Sequence, residues 1–230
     1  MSEKQVLILN LLEKRAFKDS FDNRMAQVFE SIDIEYHTQY VKDLNQIIEC
    51  GDYTHLIISG STESATEENK WYSALNRIIG LFITAKKSIL GICFGHQFLI
   101  RYLLGKEHVR KSATPEIGWT KVTLDENPLF SHIGGFKAGV YHYDEVFNLD
   151  DRFDIIACSD RCAIHGFQVK EKPIWGVQFH PDFMYQDIFI FADNARKKDP
   201  LANNYFCNTK VSPGEFRKND LIFQNWLAIS

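Results

Sequence analysis

Residues 88–104, SILGICFGHQFLIRYLL, join a short apolar run to an amphipathic one through a single cysteine. This pattern predicts a buried strand over residues 88–92, a tight turn at Cys93 and a helix after it. Gly91 and Gly95 flank the cysteine, so the backbone can turn sharply and a substrate carbonyl can approach. The unpaired N–H groups and the dipole at the start of the helix favour the thiolate, which is the nucleophilic form. We therefore expect Cys93 to act as a nucleophile.

A second segment, GVQFHPD over residues 176–182, supplies the two side chains that such a nucleophile needs. It places His180 directly after a strand predicted over residues 174–179, and Asp182 follows two residues later. Acyl transfer requires a nucleophile, a base that moves its proton and an acid that orients the base. We expect Cys93, His180 and Asp182 to fill these three roles.

Predicted strands and helices alternate through the first part of the chain. Strands are predicted over residues 5–11, 32–36, 55–59 and 88–92, and helices over residues 22–31, 43–49 and 67–86. This alternation is typical of an α/β fold in which helices cover both faces of an open, mainly parallel sheet.

From residue 118 onward the predicted elements are shorter. Strands are predicted over residues 120–124, 139–147, 154–158, 164–170 and 174–179, and helices over residues 185–196 and 219–229. Turn signals such as Asn127-Pro128 and Lys172-Pro173 separate the strands. We expect extra antiparallel strands in this second half of the chain.

Composition narrows the function classes. The chain has 230 residues, of which 45% are hydrophobic and 24% charged, as expected for one globular domain with a substantial core. No apolar stretch is long enough to span a bilayer, and the N-terminus lacks the pattern of a signal peptide. The net charge of −4 and the lack of a basic stripe argue against nucleic acid as a partner. Five cysteines, an odd number without metal-type spacing, favour a reducing cytoplasm.

The two motifs, G-x-C-x-G-H-Q and G-x-Q-F-H-P followed by an acidic residue, resemble those of the class I (triad-type) glutamine amidotransferases. The resemblance runs from about residue 50 to residue 195. It implies a flavodoxin-like fold and cleavage of a γ-glutamyl amide, glutamine to glutamate plus ammonia, through a thioester on Cys93 without a cofactor or metal. Residues 1–198 would form the amidotransferase-like domain. Residues 199–230 would form an extension of the same domain with a docked helix.

The resemblance also implies an oxyanion hole beside the nucleophile. One donor would be the amide of Phe94, directly after the cysteine. The other would come from Gly60 and Ser61, in a loop where many family members have two glycines and a proline. Because the donor is a backbone group, a serine can serve. The alternative for this loop is an ordinary strand-to-helix turn.

Further residues would contact the substrate. Gln97 matches the family glutamine that helps to hold it, and the segment Tyr141-His142-Tyr143 resembles the one that contacts its amino-acid end. Structural roles stay open for both: Gln97 could be a polar residue in the first turn of a helix, and His142 a satisfied histidine of a strand.

The chain departs from the family at Asp182, where glutamate is usual. Aspartate is one methylene shorter, so the loop must bring its backbone closer to His180 or a water must bridge the two side chains. The alternative is that Asp182 only caps the turn after Pro181.

Three functions stay open. The chain could release ammonia for a synthetase on a separate polypeptide, since it carries no G-x-x-x-x-G-K-[ST] motif for ATP and resembles the amidotransferase domains of GMP synthases. It could also hydrolyse γ-glutamyl peptides on its own, because residues 58–61, residues 159–162 and the tryptophan-bearing C-terminal segment resemble plant γ-glutamyl peptidases. The third possibility is a catalytically silent homologue that binds a γ-glutamyl ligand or a partner.

Overall fold

One continuous sheet contains ten strands within residues 4–46 and 50–229, the part of the chain that the computed structural model describes. The strands are β1 (Gln5–Asn10), β2 (Glu35–Tyr40), β3 (His55–Ile58), β4 (Ser88–Ile92), β5 (Val109–Leu124), β6 (Phe136–Val146), β7 (Phe153–Cys158), β8 (Gly166–Val169), β9 (Ile174–Val177) and β10 (Phe206–Asn208). Their order is β10-β5-β7-β8-β9-β4-β3-β1-β2, and β6 pairs with β5.

The direction of the strands changes between the two halves of the sheet. Strands β2, β1, β3, β4 and β9 run parallel to one another. Strands β8, β7, β5 and β6 are joined by antiparallel pairs, and the short β10 pairs in parallel with β5. The predicted α/β class, with a mainly parallel sheet and antiparallel strands in the second half, is confirmed.

The helices are α1 (Arg15–Glu30), α2 (Tyr72–Thr84), α3 (Phe94–Leu104), α4 (Asp187–Lys198), α5 (Pro213–Phe216) and α6 (Lys218–Ala228). Helices α1 and α6 cover one face of the parallel half and α2 and α3 the other, whereas α4 and α5 contact β5 or β6. Successive side chains of a strand point to opposite faces of the sheet. Each all-apolar central strand therefore contributes side chains to two hydrophobic cores, one on each face. In β3, Ile57 packs with α1 and α6, whereas Leu56 and Ile58 pack with α2 and α3. This double burial explains why the central strands read as continuous apolar runs.

Several boundaries differ from the predictions for local reasons. Helix α1 begins at Arg15 instead of residue 22, and no side chain caps its start, so no capping signal marks it in the sequence. Strand β2 begins at Glu35 instead of residue 32, because the chain turns at Asp33, whose φ is 52°. Helix α2 covers Tyr72–Thr84 within the predicted residues 67–86.

The helix predicted over residues 43–49 falls partly outside the described residues, which exclude 47–49. Of its described part, Asp43 ends a single 3-10 turn at Val41–Asp43, and residues 44–46 form a turn and not a helix.

Strand β5 is far longer than the predicted residues 120–124. It extends back to Val109 across a polar stretch that contains Pro115, and its register shifts between Lys111 and Glu116. A polar run with a proline and a bulge lacks the alternation that predicts a strand. The pairing with β6 is therefore set by long-range contacts.

The C-terminal segment packs into the same core as the sheet. Trp226 of α6 is fully buried and makes an edge contact with His55, with ring centroids 4.8 Å apart. Phe223 lies against Phe29 of α1. The boundary at residue 198 stays a prediction. Within the described residues, no helix combines the length and apolar character needed to cross a membrane.

Candidate active site

Cys93 stands on a strained turn between β4 and α3. Its φ of 51° and ψ of −101° lie in a region that costs a non-glycine residue about 1–3 kcal/mol. The flanking glycines permit this turn: a Cβ on Gly91 would lie 2.6 Å from the backbone of Gly95, and one on Gly95 would clash with the Ile58 carbonyl oxygen. The turn places the cysteine at the carboxyl end of the parallel sheet and at the start of a helix, as its sequence predicts.

His180 and Asp182 lie beside the cysteine, and all three side chains are buried. Nδ1 of His180 is 3.1 Å from Oδ1 of Asp182. The backbone N–H of His180 donates to the Gly139 carbonyl oxygen at 2.8 Å, which joins the residue to β6. Phe183 stacks on the imidazole with ring centroids 3.8 Å apart and planes 9° apart. The His180 ring is therefore held at one edge by Asp182 and on one face by Phe183.

The electrostatics of this group favour a charged imidazole. Burial alone would lower the pKa of His180, but its charge interactions with Cys93 and Asp182 raise the pKa to about 10. A hydrogen bond with each neighbour adds to the effect. Because Nδ1 faces Asp182, Nε2 remains for the thiol. A buried thiolate–imidazolium pair can attack a carbonyl and supply a proton to a leaving amine.

Three residues with backbone amides of interest, Gly60, Ser61 and Phe94, line the same cavity. Phe94 is the first residue of α3, so its amide has no partner within the helix. Gly60 and Ser61 also line the cavity, and neither amide donates to another residue within 4–46 and 50–229. A Cβ on Gly60 would lie 3.0 Å from Cε1 of His180, so only a glycine leaves the imidazole undisturbed. These free donors fit the expected oxyanion hole, whose function stays a prediction.

Two glutamines connect Cys93 to β6. Nε2 of Gln178 lies 3.5 Å from Sγ of Cys93, and its Oε1 accepts from Nε2 of Gln97 at 2.9 Å. Gln97 also donates to the Asp144 carbonyl oxygen at 2.9 Å. Gln97 thus lines the cavity while its amide nitrogen donates within the protein, and its substrate role stays a prediction. The sequence interpretation assigned Gln178 no role, although its position two residues before His180 puts both on one face of the chain.

The segment of β6 predicted to contact the substrate forms one wall. The Tyr141 carbonyl oxygen lies 3.8 Å from Sγ of Cys93, and Tyr143 lines the cavity with it. The imidazole of His142 contacts the Asp144 carbonyl oxygen and Glu116, so its ring nitrogens are engaged within the protein. His142 also lines the cavity, and its substrate role stays a prediction.

The cavity above these groups has a volume of about 520 Å³. Part of its lining is aromatic, formed by Phe17, Phe21, Tyr141, Phe183 and Phe191. Lys14 and Lys198 also line it, and they lie close enough that Lys14 lowers the pKa of Lys198. Because the lining also includes the carboxylates of Glu63, Asp144 and Asp187, the cavity combines aromatic surface with charged groups of both signs.

A second cluster of ligand-type side chains lies behind this wall. One donor atom from each of four buried residues lies within 4.8 Å of every other: Glu116, His142, Cys162 and His165. The sequence interpretation found no metal-type spacing, and these positions span strands β5 and β6 and the β7–β8 loop. Only the pairing of distant strands brings them together.

The sequence of this chain matches a known protein family and resembles individual proteins. Residues 16–189 match the sequence model of the family described as glutamine amidotransferase class-I. The chain is 38% identical over 134 residues to one subunit of the glutamine-hydrolysing GMP synthase of Methanocaldococcus jannaschii. That match covers 57% of this chain and 66% of the relative, just under two thirds. The chain is 31% identical over 163 residues to the corresponding subunit from Methanococcus aeolicus. This match covers 65% of this chain and 86% of the relative.

The fold also resembles solved structures. A glutamine amidotransferase from Thermotoga maritima superposes with a TM-score of 0.77 at 20% sequence identity. The superposition covers 99% of this chain and 97% of that one. At 20% sequence identity, this similarity shows a shared fold and nothing more.

Proposed function

The chain belongs to the class I glutamine amidotransferases, and we propose that it hydrolyses the γ-amide of glutamine through a thioester on Cys93. The observation that carries this proposal is the juxtaposition of a nucleophile-type turn with a buried His180–Asp182 pair in one cavity. Each part of the acyl-transfer chemistry has a side chain or backbone group available there.

In the first half of the reaction, Sγ of Cys93 attacks the γ-carbonyl carbon of the substrate. The oxygen that becomes negative accepts hydrogen bonds from the amides of Phe94 and of the 60–61 loop. His180 gives its Nε2 proton to the amide nitrogen, the C–N bond breaks, and ammonia leaves. The product on the enzyme is a γ-glutamyl thioester. Asp182 holds the ring through Nδ1 and stabilises its charge.

In the second half, water replaces ammonia. His180, now neutral, takes a proton from the water as its oxygen attacks the thioester carbon. The C–S bond breaks, glutamate leaves, and the thiolate–imidazolium pair is restored. The sum is glutamine plus water to glutamate plus ammonia. Gln178 donates a hydrogen bond to the sulfur at 3.5 Å, which favours the thiolate as leaving group and as nucleophile.

We propose that a synthetase on a separate polypeptide consumes the ammonia. The relatives from Methanocaldococcus jannaschii and Methanococcus aeolicus are each described as one subunit of a GMP synthase, which supports a role within a larger synthetase. In such an arrangement a partner polypeptide would bind the acceptor substrate and use the ammonia directly.

A second candidate is hydrolysis of γ-glutamyl peptides, and the cavity favours it. A volume of about 520 Å³ exceeds what glutamine alone needs, and its aromatic walls suit a leaving group larger than ammonia. Lys14 and Lys198 could bind the carboxylate of such a leaving group. Replacement of Lys198 with alanine should then raise KM for a γ-glutamyl dipeptide and leave KM for glutamine unchanged.

The deciding experiment measures glutamate release by the purified chain. Glutamine and a set of γ-glutamyl dipeptides are tested, each with and without a GMP synthetase polypeptide, and Cys93→Ala is the control. Release from glutamine that rises when the synthetase is added supports the ammonia-supplying role. Release from dipeptides by the chain alone supports the hydrolase. Absence of release in every arm would instead identify a silent binding homologue.

A further inference from the structure

The cluster behind the active-site wall is fully enclosed. Glu116, His142, Cys162 and His165 each expose at most 3% of their surface. Oε2 of Glu116 lies 3.2 Å from Nε2 of His142 and 2.7 Å from Nε2 of His165. The other carboxylate oxygen, Oε1, accepts from Ser159 at 3.0 Å and from Thr120 at 3.3 Å. The hydroxyl groups therefore orient Glu116 so that one oxygen faces both imidazoles.

The contacts of His142 turn one ring nitrogen toward this group of atoms. Its Nδ1 lies 3.0 Å from the Asp144 carbonyl oxygen, which can only accept, so this contact uses the Nδ1 edge of the ring. Its Nε2 lies 3.2 Å from Oε2 of Glu116 and faces the other ligand-type atoms.

The remaining two residues complete a set of four ligand-type side chains. Cys162 adds a sulfur to the same group of atoms. His165 is completely buried, and Glu116 is the one hydrogen-bond contact of its imidazole among the described residues. Two imidazoles, one carboxylate and one sulfur are the ligand types that Zn²⁺ takes in four-coordinate sites.

We propose that Glu116, His142, Cys162 and His165 bind one Zn²⁺ ion. Tetrahedral zinc with these ligands sets the donor atoms about 3.3–3.8 Å apart. The four donor atoms here all lie within 4.8 Å of one another, so movements of about 1 Å complete the shell. Cys162 binds as a thiolate and releases its proton when the ion enters. The Nδ1–H bond of His142 to a carbonyl is the arrangement that orients a zinc-binding histidine.

The ion would fasten the strands that form the active-site wall. Glu116 follows the register shift of β5, His142 belongs to β6, and Cys162 and His165 belong to the loop between β7 and β8. The Asp144 carbonyl oxygen that accepts from His142 also accepts from Gln97, which contacts Gln178 beside Cys93. Zinc would therefore stabilise the fold and fix β6 next to the nucleophile, without taking part in the reaction. The site is independent of which substrate the enzyme uses.

The test measures metal content and then uses cobalt as a spectroscopic substitute. Untagged protein is purified from cells grown with added zinc and analysed by elemental mass spectrometry. We expect about one zinc per chain. Apoprotein, prepared with a chelator in mild denaturant and refolded with Co²⁺, should show the thiolate-to-cobalt charge-transfer band and the strong visible bands of tetrahedral cobalt.

Three variants locate the ion. Cys162→Ser should abolish the charge-transfer band and weaken zinc binding at least about 100-fold, because a direct ligand is lost. Cys158→Ser, on the neighbouring half-buried thiol, and Cys93→Ser, in the active-site pair, should leave band and stoichiometry unchanged. If Cys162→Ser fails to fold, His165→Gln replaces it, and the visible bands should be lost or altered. Two results would overturn the proposal: protein that contains no zinc and gives no cobalt band, or a band that depends on Cys93 or Cys158. The cluster would then be a buried ion pair without a metal.

Discussion

Nδ1 of His180 lies 3.1 Å from Oδ1 of Asp182, a direct contact between residues two positions apart. The shorter acid left two routes open, a closer backbone or a bridging water, and the two side chains are in direct contact. The chain turns after His180, where the Phe183 N–H donates to the His180 carbonyl oxygen at 3.4 Å, and the Phe183 ring covers the imidazole. Asp182 therefore contacts the His180 ring directly, although it is one methylene shorter than the glutamate usual in the family.

The first prediction concerns the division of work between these two residues. His180→Ala should lower kcat by about 10³-fold or more, because the proton carrier is lost. Asp182→Asn should lower it only about 10- to 100-fold, since the acid orients the ring and stabilises its charge. The alkaline limb of kcat/KM should lie near pH 10 in the wild type, where His180 loses its proton.

In Asp182→Asn this limb should move to lower pH, because the carboxylate that raises the pKa of His180 is gone. Asp193→Asn, on an exposed carboxylate of α4, is the control and should move neither rate nor limb. A limb that stays in place in Asp182→Asn would show that the acid does not act on His180.

The second prediction concerns Gln178. Gln178→Glu keeps the acceptor that Gln97 uses but replaces the donor to Cys93 with an anionic oxygen. The rate of thiol alkylation at neutral pH should fall about tenfold, by the loss of one charge-assisted hydrogen bond. Gln178→Met removes both bonds and should in addition lower the free energy of unfolding by about 1–3 kcal/mol, because the buried Gln97 amide loses a partner. Unchanged alkylation in both variants would refute a role for Gln178.

The third prediction concerns thiol reactivity. A glutamine-mimicking diazoketone should alkylate Cys93 before any other cysteine. Burial raises the pKa of the Cys50, Cys162 and Cys207 thiols, which keeps them protonated. Peptide mapping after labelling identifies the modified residue, and Cys93→Ala should remove both the label and hydrolysis. Faster labelling of Cys158, the remaining thiol, would contradict the assignment.

The fourth prediction compares a substitution at Gly60, beside His180, with one at a control glycine. Gly60→Ala places a methyl group 3.0 Å from Cε1 of His180 and 3.7 Å from Cβ of Cys93. A displaced imidazole should reduce kcat about tenfold while the melting temperature changes little. Gly214→Ala meets no atom within 4 Å and should leave activity unchanged. Equal activity of the two variants would mean that the 60–61 loop does not pack against the imidazole during turnover.

The parts of the fold and site that the sequence predicts are those with local signals. The apolar strand, the two glycines and the amphipathic helix around Cys93 lie within one short segment, and each feature supports the others. His180 follows an apolar strand in the same way. These segments meet because β4 and β9 are neighbours in a parallel sheet, which aligns their carboxyl ends.

The parts that the sequence does not predict depend on distant pairing. The polar stretch of β5 before Glu116 forms a strand because β6 lies beside it, not through its own pattern. The same pairing turns His142 toward Glu116, and the pairing of β7 with β5 and β8 brings the loop with Cys162 and His165 beside them. The start of α1 at Arg15 lacks a cap and so lacks a signal. Spacing along the chain carries no information about such contacts.

The central claim, that Cys93 forms a γ-glutamyl thioester, is tested most directly by mass spectrometry of acid-quenched turnover. The protein is mixed with glutamine or the preferred γ-glutamyl dipeptide, quenched within one turnover and digested. We predict that the peptide containing Cys93 gains the mass of one glutamyl group, that the adduct disappears as glutamate accumulates, and that Cys93→Ala shows neither adduct nor glutamate. Release of glutamate by Cys93→Ala at the wild-type rate, or an adduct on any other residue, would contradict this claim.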